Sequence, residues 1–174
     1  MKKLYFFFLL PLLLAASCKK EKTSPADKLL PATMTGANTF GCLVNGEPWL
    51  PHSGSLWDPS LNVAHGQFPT GEWQLKIGAT KDDVKGGGSG DDQAFSINVW
   101  DPVVGDNLVQ AVFWDFDGCG IYRLDSLSPN NMNITKLDDV NFIASGTFYF
   151  ILINKECNDT IRVTEGRFDA DSHL

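Results

Sequence analysis

Trp73-Gln74-Leu75-Lys76-Ile77-Gly78-Ala79 alternates without a break: Trp73, Leu75, Ile77 and Ala79 fall on one side, Gln74, Lys76 and Gly78 on the other. Successive side chains of an extended chain point to opposite faces, so a period of two marks a strand with one buried face. Trp73 is thereby assigned to the core. Phe95, Ile97 and Val99 repeat the pattern against Ala94, Ser96, Asn98 and Trp100, which puts Trp100 on the polar face. Leu108 to Phe116 reads as another strand, with Trp114 in phase with its apolar neighbours. Phe148-Tyr149-Phe150-Ile151-Leu152-Ile153 is apolar at every position, which predicts a central strand covered on both faces. Ile161 and Val163 alternate into Glu165-Gly166-Arg167-Phe168. Phe168 is out of phase there, and a bulge at Gly166 returns it to the core face.

Working outward, Phe40-Gly41-Cys42-Leu43-Val44 leads into Asn45-Gly46, the strongest short hairpin signal, and Glu47-Pro48-Trp49-Leu50 returns. Gly, Asn and Asp clusters separate the runs, most densely between Lys81 and Asp92. There is no sustained helical period and no internal repeat. Many short strands joined by such turns predict an all-β fold, an antiparallel β-sandwich, with a lipocalin-like β-barrel as the alternative. The organisation expected is one β domain over residues 39–170 and a short tail, 171–174.

The N-terminus carries an address. Lys2 and Lys3 precede an apolar run from Leu4 to Leu14, and Ala15-Ala16-Ser17-Cys18 follows. A basic start, a short apolar core and small residues before a cysteine describe a lipoprotein signal over residues 1–17, with Cys18 the lipidated residue. About eleven apolar residues make a helix of roughly 16 Å, too short for a bilayer core of about 30 Å. An ordinary secretory signal, cut at the same place, is the alternative. Residues 18–38 are polar, with Pro25 and Pro31, and read as a flexible tether holding the domain about 25 Å from a membrane.

The 174 residues have a formal net charge of −7, and loss of a signal that holds two lysines and no acid makes the remainder two units more negative. Such a surface repels nucleic acid and anionic headgroups, so no nucleic-acid partner is expected. Of the four cysteines, Cys42 lies in an apolar run and reads as a small buried hydrophobe. Cys119 and Cys157 lie in polar, turn-like surroundings and are expected to pair, as an exported chain permits.

Catalytic signals are absent. His52, His65 and His173 have no metal-type spacing, no GxSxG is present, and Gly86 to Gly90 lacks the lysine of a phosphate loop. Asp115-Phe116-Asp117-Gly118 lacks the later ligands of a calcium loop. Neither a cofactor nor a metal site is implied, and no residue is assigned a catalytic role. Five tryptophans in so short a chain are the better lead. Trp100 shares a face with polar residues, and Trp49 and Trp57 lie in loop-like segments, so these three are the candidate contacts for a ligand. Exposed aromatic faces suit a sugar or a protein partner.

The opening Asn38-Thr39-Phe40-Gly41-Cys42-Leu43-Val44-Asn45-Gly46, the pattern Ser145-Gly146-Thr147-Phe148 and the ending Thr164-Glu165-Gly166-Arg167-Phe168-Asp169 resemble a family of small Bacteroidota envelope lipoproteins of unknown function. The resemblance implies an envelope lipoprotein with cysteines near Cys42, Cys119 and Cys157, and no activity. Together these readings predict a lipid-anchored, non-catalytic binding or accessory module of the cell envelope, outer-membrane anchored, for a glycan or an envelope protein. A hydrolase of cell-surface polymers and a purely structural lipoprotein are the alternatives.

Overall fold

The computed structural model describes residues 24–52, 60–69, 71–82, 92–116 and 118–172. The signal, Cys18, Trp57, His173 and the glycine-rich run lie outside them. Among the described residues are eleven strands: β1 (Thr39–Val44), β2 (Glu47–Trp49), β3 (Leu61–Gln67), β4 (Trp73–Lys81), β5 (Gln93–Trp100), β6 (Gly105–Asp106), β7 (Val109–Asp115), β8 (Gly120–Leu124), β9 (Asn131–Asp138), β10 (Ile143–Asn154) and β11 (Asp159–Asp171). The antiparallel all-β fold read from the sequence is what forms. Its strands belong to one continuous sheet in the order β2-β1-β11-β10-β8-β7-β5-β4-β3, with β9 sharing the flank of β10 and carrying β6. The sheet curls into a half-barrel.

Curling brings the two ends of the sheet together, so opposing parts enclose a core as the layers of a sandwich do. Trp49 on β2 packs edge-on against Phe95 of β5 and Phe113 of β7, with ring centroids at 4.9 and 6.4 Å, although five and four strands respectively intervene in the sheet order. Phe40, Phe148 and Phe150 continue this aromatic filling of the concave side. Each such side chain removed from water contributes about 1.5–3 kcal/mol. Backbone bonds tie the curl on both sides: His52 N–H donates to the Thr80 carbonyl (2.9 Å), and His65 N–H of the terminal strand β3 donates to the Ser172 carbonyl (3.3 Å). Residues 171–172, read as a tail, are therefore part of the closure, and Ser172 is buried.

Local chemistry explains the register. Asn45 and Gly46 both take positive φ (51° and 87°), the geometry of a two-residue hairpin between β1 and β2. The bulge near Gly166 exists: β10 and β11 slip by one residue between Phe148 and Phe150. The extra residue is Glu165, at φ 53°, and Phe168 returns to the core. Gly166 has a separate task, since a Cβ there would overlap the Phe148 ring. Three expectations are corrected. Phe148–Ile153 is fully buried on one face only; on the outer face Tyr149 is exposed and Ile151 and Ile153 are half-buried. Trp114 alternates with buried Ala111 and Phe113 and points outward, half-buried. Trp73 is 45 % exposed: it has the core phase but stands at the end of β4, beyond the depth at which opposing strands cover it.

The flank of β10 passes from β9 to β8 part-way along, and β8 pairs with β10 only at Leu124–Leu152 and Arg123–Ile153. This weak seam is stitched by the Cys119–Cys157 disulfide, by Asn154 Nδ2 donating to the Cys119 carbonyl (2.6 Å) and by Tyr122 Oη donating to Asp159 (2.7 Å). Cys42 is a buried free thiol, as expected, and burial pushes its pKa far up.

The segment read as a tether docks instead, over its described part. Leu29 is buried beside Gly41. Beyond it, the buried Asp169 carboxylate accepts from Thr33 Oγ1 (2.5 Å), Thr35 N (2.9 Å), Thr35 Oγ1 (3.2 Å), Gly36 N (2.8 Å), Ala37 N (3.2 Å) and Ser145 Oγ (2.7 Å). Burial alone raises the Asp169 pKa, but hydrogen bonds led by Thr33 and Ser145 outweigh it and hold the group ionised well below the usual carboxylate range.

Candidate functional site

At one end of the half-barrel the curl leaves an open mouth. His65 comes from β3, Trp73 from the first residue of β4, Asp101, Pro102 and Val103 from the chain leaving β5, Leu137 from β9 and Asp139 from the turn after it. They line a hollow of about 300 Å³, at the small end of ligand sites and enough for one ring of a longer ligand. The wall leaving β5 is held by hydrogen bonds. Asp101 takes positive φ (46°) and its N–H donates to the Trp73 carbonyl (2.8 Å), turning the chain sharply under the indole. Asn107 clasps the next loop: its Oδ1 accepts from Val103 N (2.9 Å) and its Nδ2 donates to the carbonyls of Val103 (2.8 Å) and Gly105 (2.7 Å).

His65 Nδ1 lies 3.1 Å from Asp139 Oδ1, the imidazole nearly covered (7 %) and the carboxylate open to solvent (65 %). Burial lowers the His65 pKa and the Asp139 charge restores part of it. The imidazole packs at 5.4 Å from the Trp73 ring, tilted by 41°. The Asp101 side chain is exposed and makes no hydrogen bond or ion pair among the described residues. The site thus offers an indole face and two carboxylates beside a nearly covered imidazole. Among the described residues no Ser, Thr or Cys lines it.

The sequence candidates fall elsewhere. Trp49 is 3 % exposed, with Nε1 donating to Gln93 Oε1 (2.8 Å), and is a core residue, not a ligand contact. Its Pro48 neighbour suggested a loop, but β2 is an edge strand, where proline is tolerated. Trp100 is 43 % exposed on the outer face, as its phase predicted, and does not line the mouth. His52 serves the closure through its backbone. A larger concavity, about 680 Å³, follows the β8–β10 seam. It has no aromatic ring, and its Arg123 and Lys155 are matched by Asp125 and Glu156.

No protein-family model, curated protein or solved structure matches the chain.

Proposed function

We propose that the protein is a lipid-anchored, non-catalytic binding module of the cell envelope, and that its mouth takes a saccharide. The observation that carries this reading is the half-exposed Trp73 indole standing beside Asp101 and the His65–Asp139 pair in one hollow. An aromatic plate receives the C–H face of a sugar ring, while adjacent acceptors receive its hydroxyl protons. The anchor at Cys18 and the Bacteroidota envelope address rest on the sequence pattern, and the disulfide suits an exported chain. A glycan array probed with the mature protein, its Trp73→Ala variant and its Trp100→Ala variant tests the reading. Saturable binding that weakens more than tenfold in Trp73→Ala and survives in Trp100→Ala is expected. Binding to no glycan, or binding indifferent to Trp73, overturns it. The intact mass of the purified protein, read for a lipid mass on Cys18, tests the anchor.

A further inference from the structure

Resting on that reading, we infer that the mouth selects a saccharide bearing a free amine, a protonated hexosamine, over its N-acetylated or neutral counterpart. The inference comes from hydrogen-bond sign as well as charge. An ammonium group is all donor, with three N–H bonds and no lone pair, whereas a hydroxyl both gives and accepts and an acetamide adds a carbonyl that needs a donor. The mouth is built the other way round. Asp101 and Asp139 accept only. The indole face attracts a cation through its quadrupole. Among the described residues no lysine or arginine lines the hollow to compete or to repel. Lys76, the cation nearest along β4, lies in the opposite strand phase, with its Nζ 3.8 Å from the centre of the Phe68 ring. The net charge of −7 adds a long-range pull on a cationic ligand.

The test is calorimetric titration of the full mature protein with three tetrasaccharides of the same β-1,4 linkage: the glucosamine, N-acetylglucosamine and glucose forms. The glucosamine form is expected to bind at least tenfold more tightly than either of the others, and to weaken as salt rises from 0.05 to 0.5 M, on the order of the screening expected for an exposed charge pair. Asp101→Asn removes one carboxylate from a solvent-exposed position and should shrink the preference to about threefold or less, the glucosamine form losing more affinity than the N-acetylated form. Equal or tighter binding of the N-acetylated or neutral form overturns the amine preference and leaves the saccharide reading standing. Failure of all three, together with an empty glycan array, overturns the saccharide reading itself. A preference that persists unchanged in Asp101→Asn and Asp139→Asn removes the carboxylates as its cause.

Discussion

Asp169→Asn separates a docked N-terminal segment from a tether. The Oδ2 atom accepts from Thr33 Oγ1, Thr35 N, Thr35 Oγ1 and Ala37 N, and Oδ1 from Gly36 N and Ser145 Oγ. An asparagine keeps one acceptor oxygen and turns the other into a donor. With its oxygen in the Oδ2 place, the new NH2 meets the Gly36 N–H, which cannot turn away, although the Ser145 hydroxyl can rotate to accept. The flipped amide is worse, because it faces the N–H groups of both Thr35 and Ala37. The better orientation leaves one buried backbone donor unmet, at about 1–3 kcal/mol. The surviving bonds lose their ionic character, about half their strength. The sum is about 3–5 kcal/mol if the segment stays in place.

It need not stay. Residues 24–38 touch the sheet through Leu29, the Asp169 cluster, Asn38 Oδ1 accepting from Asp171 N, and the Leu30 and Met34 carbonyls, so release of the segment is a cheaper outcome than global unfolding. Hydrogen exchange should show lost protection at Thr35, Gly36 and Ala37, while β5 and β7 exchange as in the parent. Urea unfolding should shift by about 1–2 M at an m value of about 1–3 kcal/mol/M. A variant with parental protection at Gly36 and a parental midpoint would refute the assignment of Asp169 as the anchor.

Other perturbations have their own signatures. Trp49→Ala empties the space between β2, β5 and β7 and should cost about 3–5 kcal/mol in chemical unfolding, whereas Trp100→Ala on the outer face should stay within about 0.5 kcal/mol. Gly166→Ala drives a methyl into the Phe148 ring and should lower stability by about 1–3 kcal/mol, read as a fall in melting temperature. Paired serine substitution of Cys119 and Cys157, 38 residues apart, should cost about 4 kcal/mol in the chain-entropy account, with exchange rising first along β8. The His65 pKa is lower in the folded protein than in the unfolded chain, so the unfolded state takes up its proton first as pH falls. Stability should be complete above about pH 6.5 and decline below it, levelling once the folded pKa is passed, and His65→Gln should remove that slope.

Sequence patterns and tertiary geometry carried different parts of this structure. Period-two alternation identified the inner faces of β4 and β5 because burial on one face of a sheet imposes it residue by residue. The Asn45-Gly46 hairpin was legible for the same local reason: both residues tolerate positive φ. The out-of-phase Phe168 demanded a bulge, and one lies a single residue from the place expected. Phase reports a face, however, and not a depth. Trp73 shares the phase of Leu75 yet stands at the open mouth, while Trp49, beside a proline, is covered by strands that follow it by more than forty residues in the chain. Asp169 and Thr35 are 134 residues apart, and no local pattern at either end could distinguish a docked segment from a polar tether. His65 and Asp139 meet only because the sheet curls, so no metal-type or triad-type spacing could have flagged them.

The same curl explains why the candidate site lies where it does. A sheet closing on itself fills its middle with side chains, and here Phe40, Trp49, Phe95, Phe113, Phe148 and Phe150 take that space. A ligand is then left the rims, where phase still directs side chains inward but the opposing wall has ended. At such a rim an inward tryptophan is half-exposed by necessity, and its neighbours come from the turns that close the strands. Turns favour aspartate and asparagine because their short polar side chains satisfy local backbone groups, and both Asp101 and Asp139 follow the last residues of strands. An aromatic plate rimmed by carboxylates is therefore the kind of surface this architecture makes readily. What distinguishes this mouth from an incidental one is Asn107, whose three hydrogen bonds to Val103 and Gly105 hold the loop beside the plate. Asn107→Ala should then weaken saccharide binding severalfold while costing the fold about 1–2 kcal/mol. Affinity unchanged in that variant, with the loop exchanging freely, would mean that the rim binds without being preorganised.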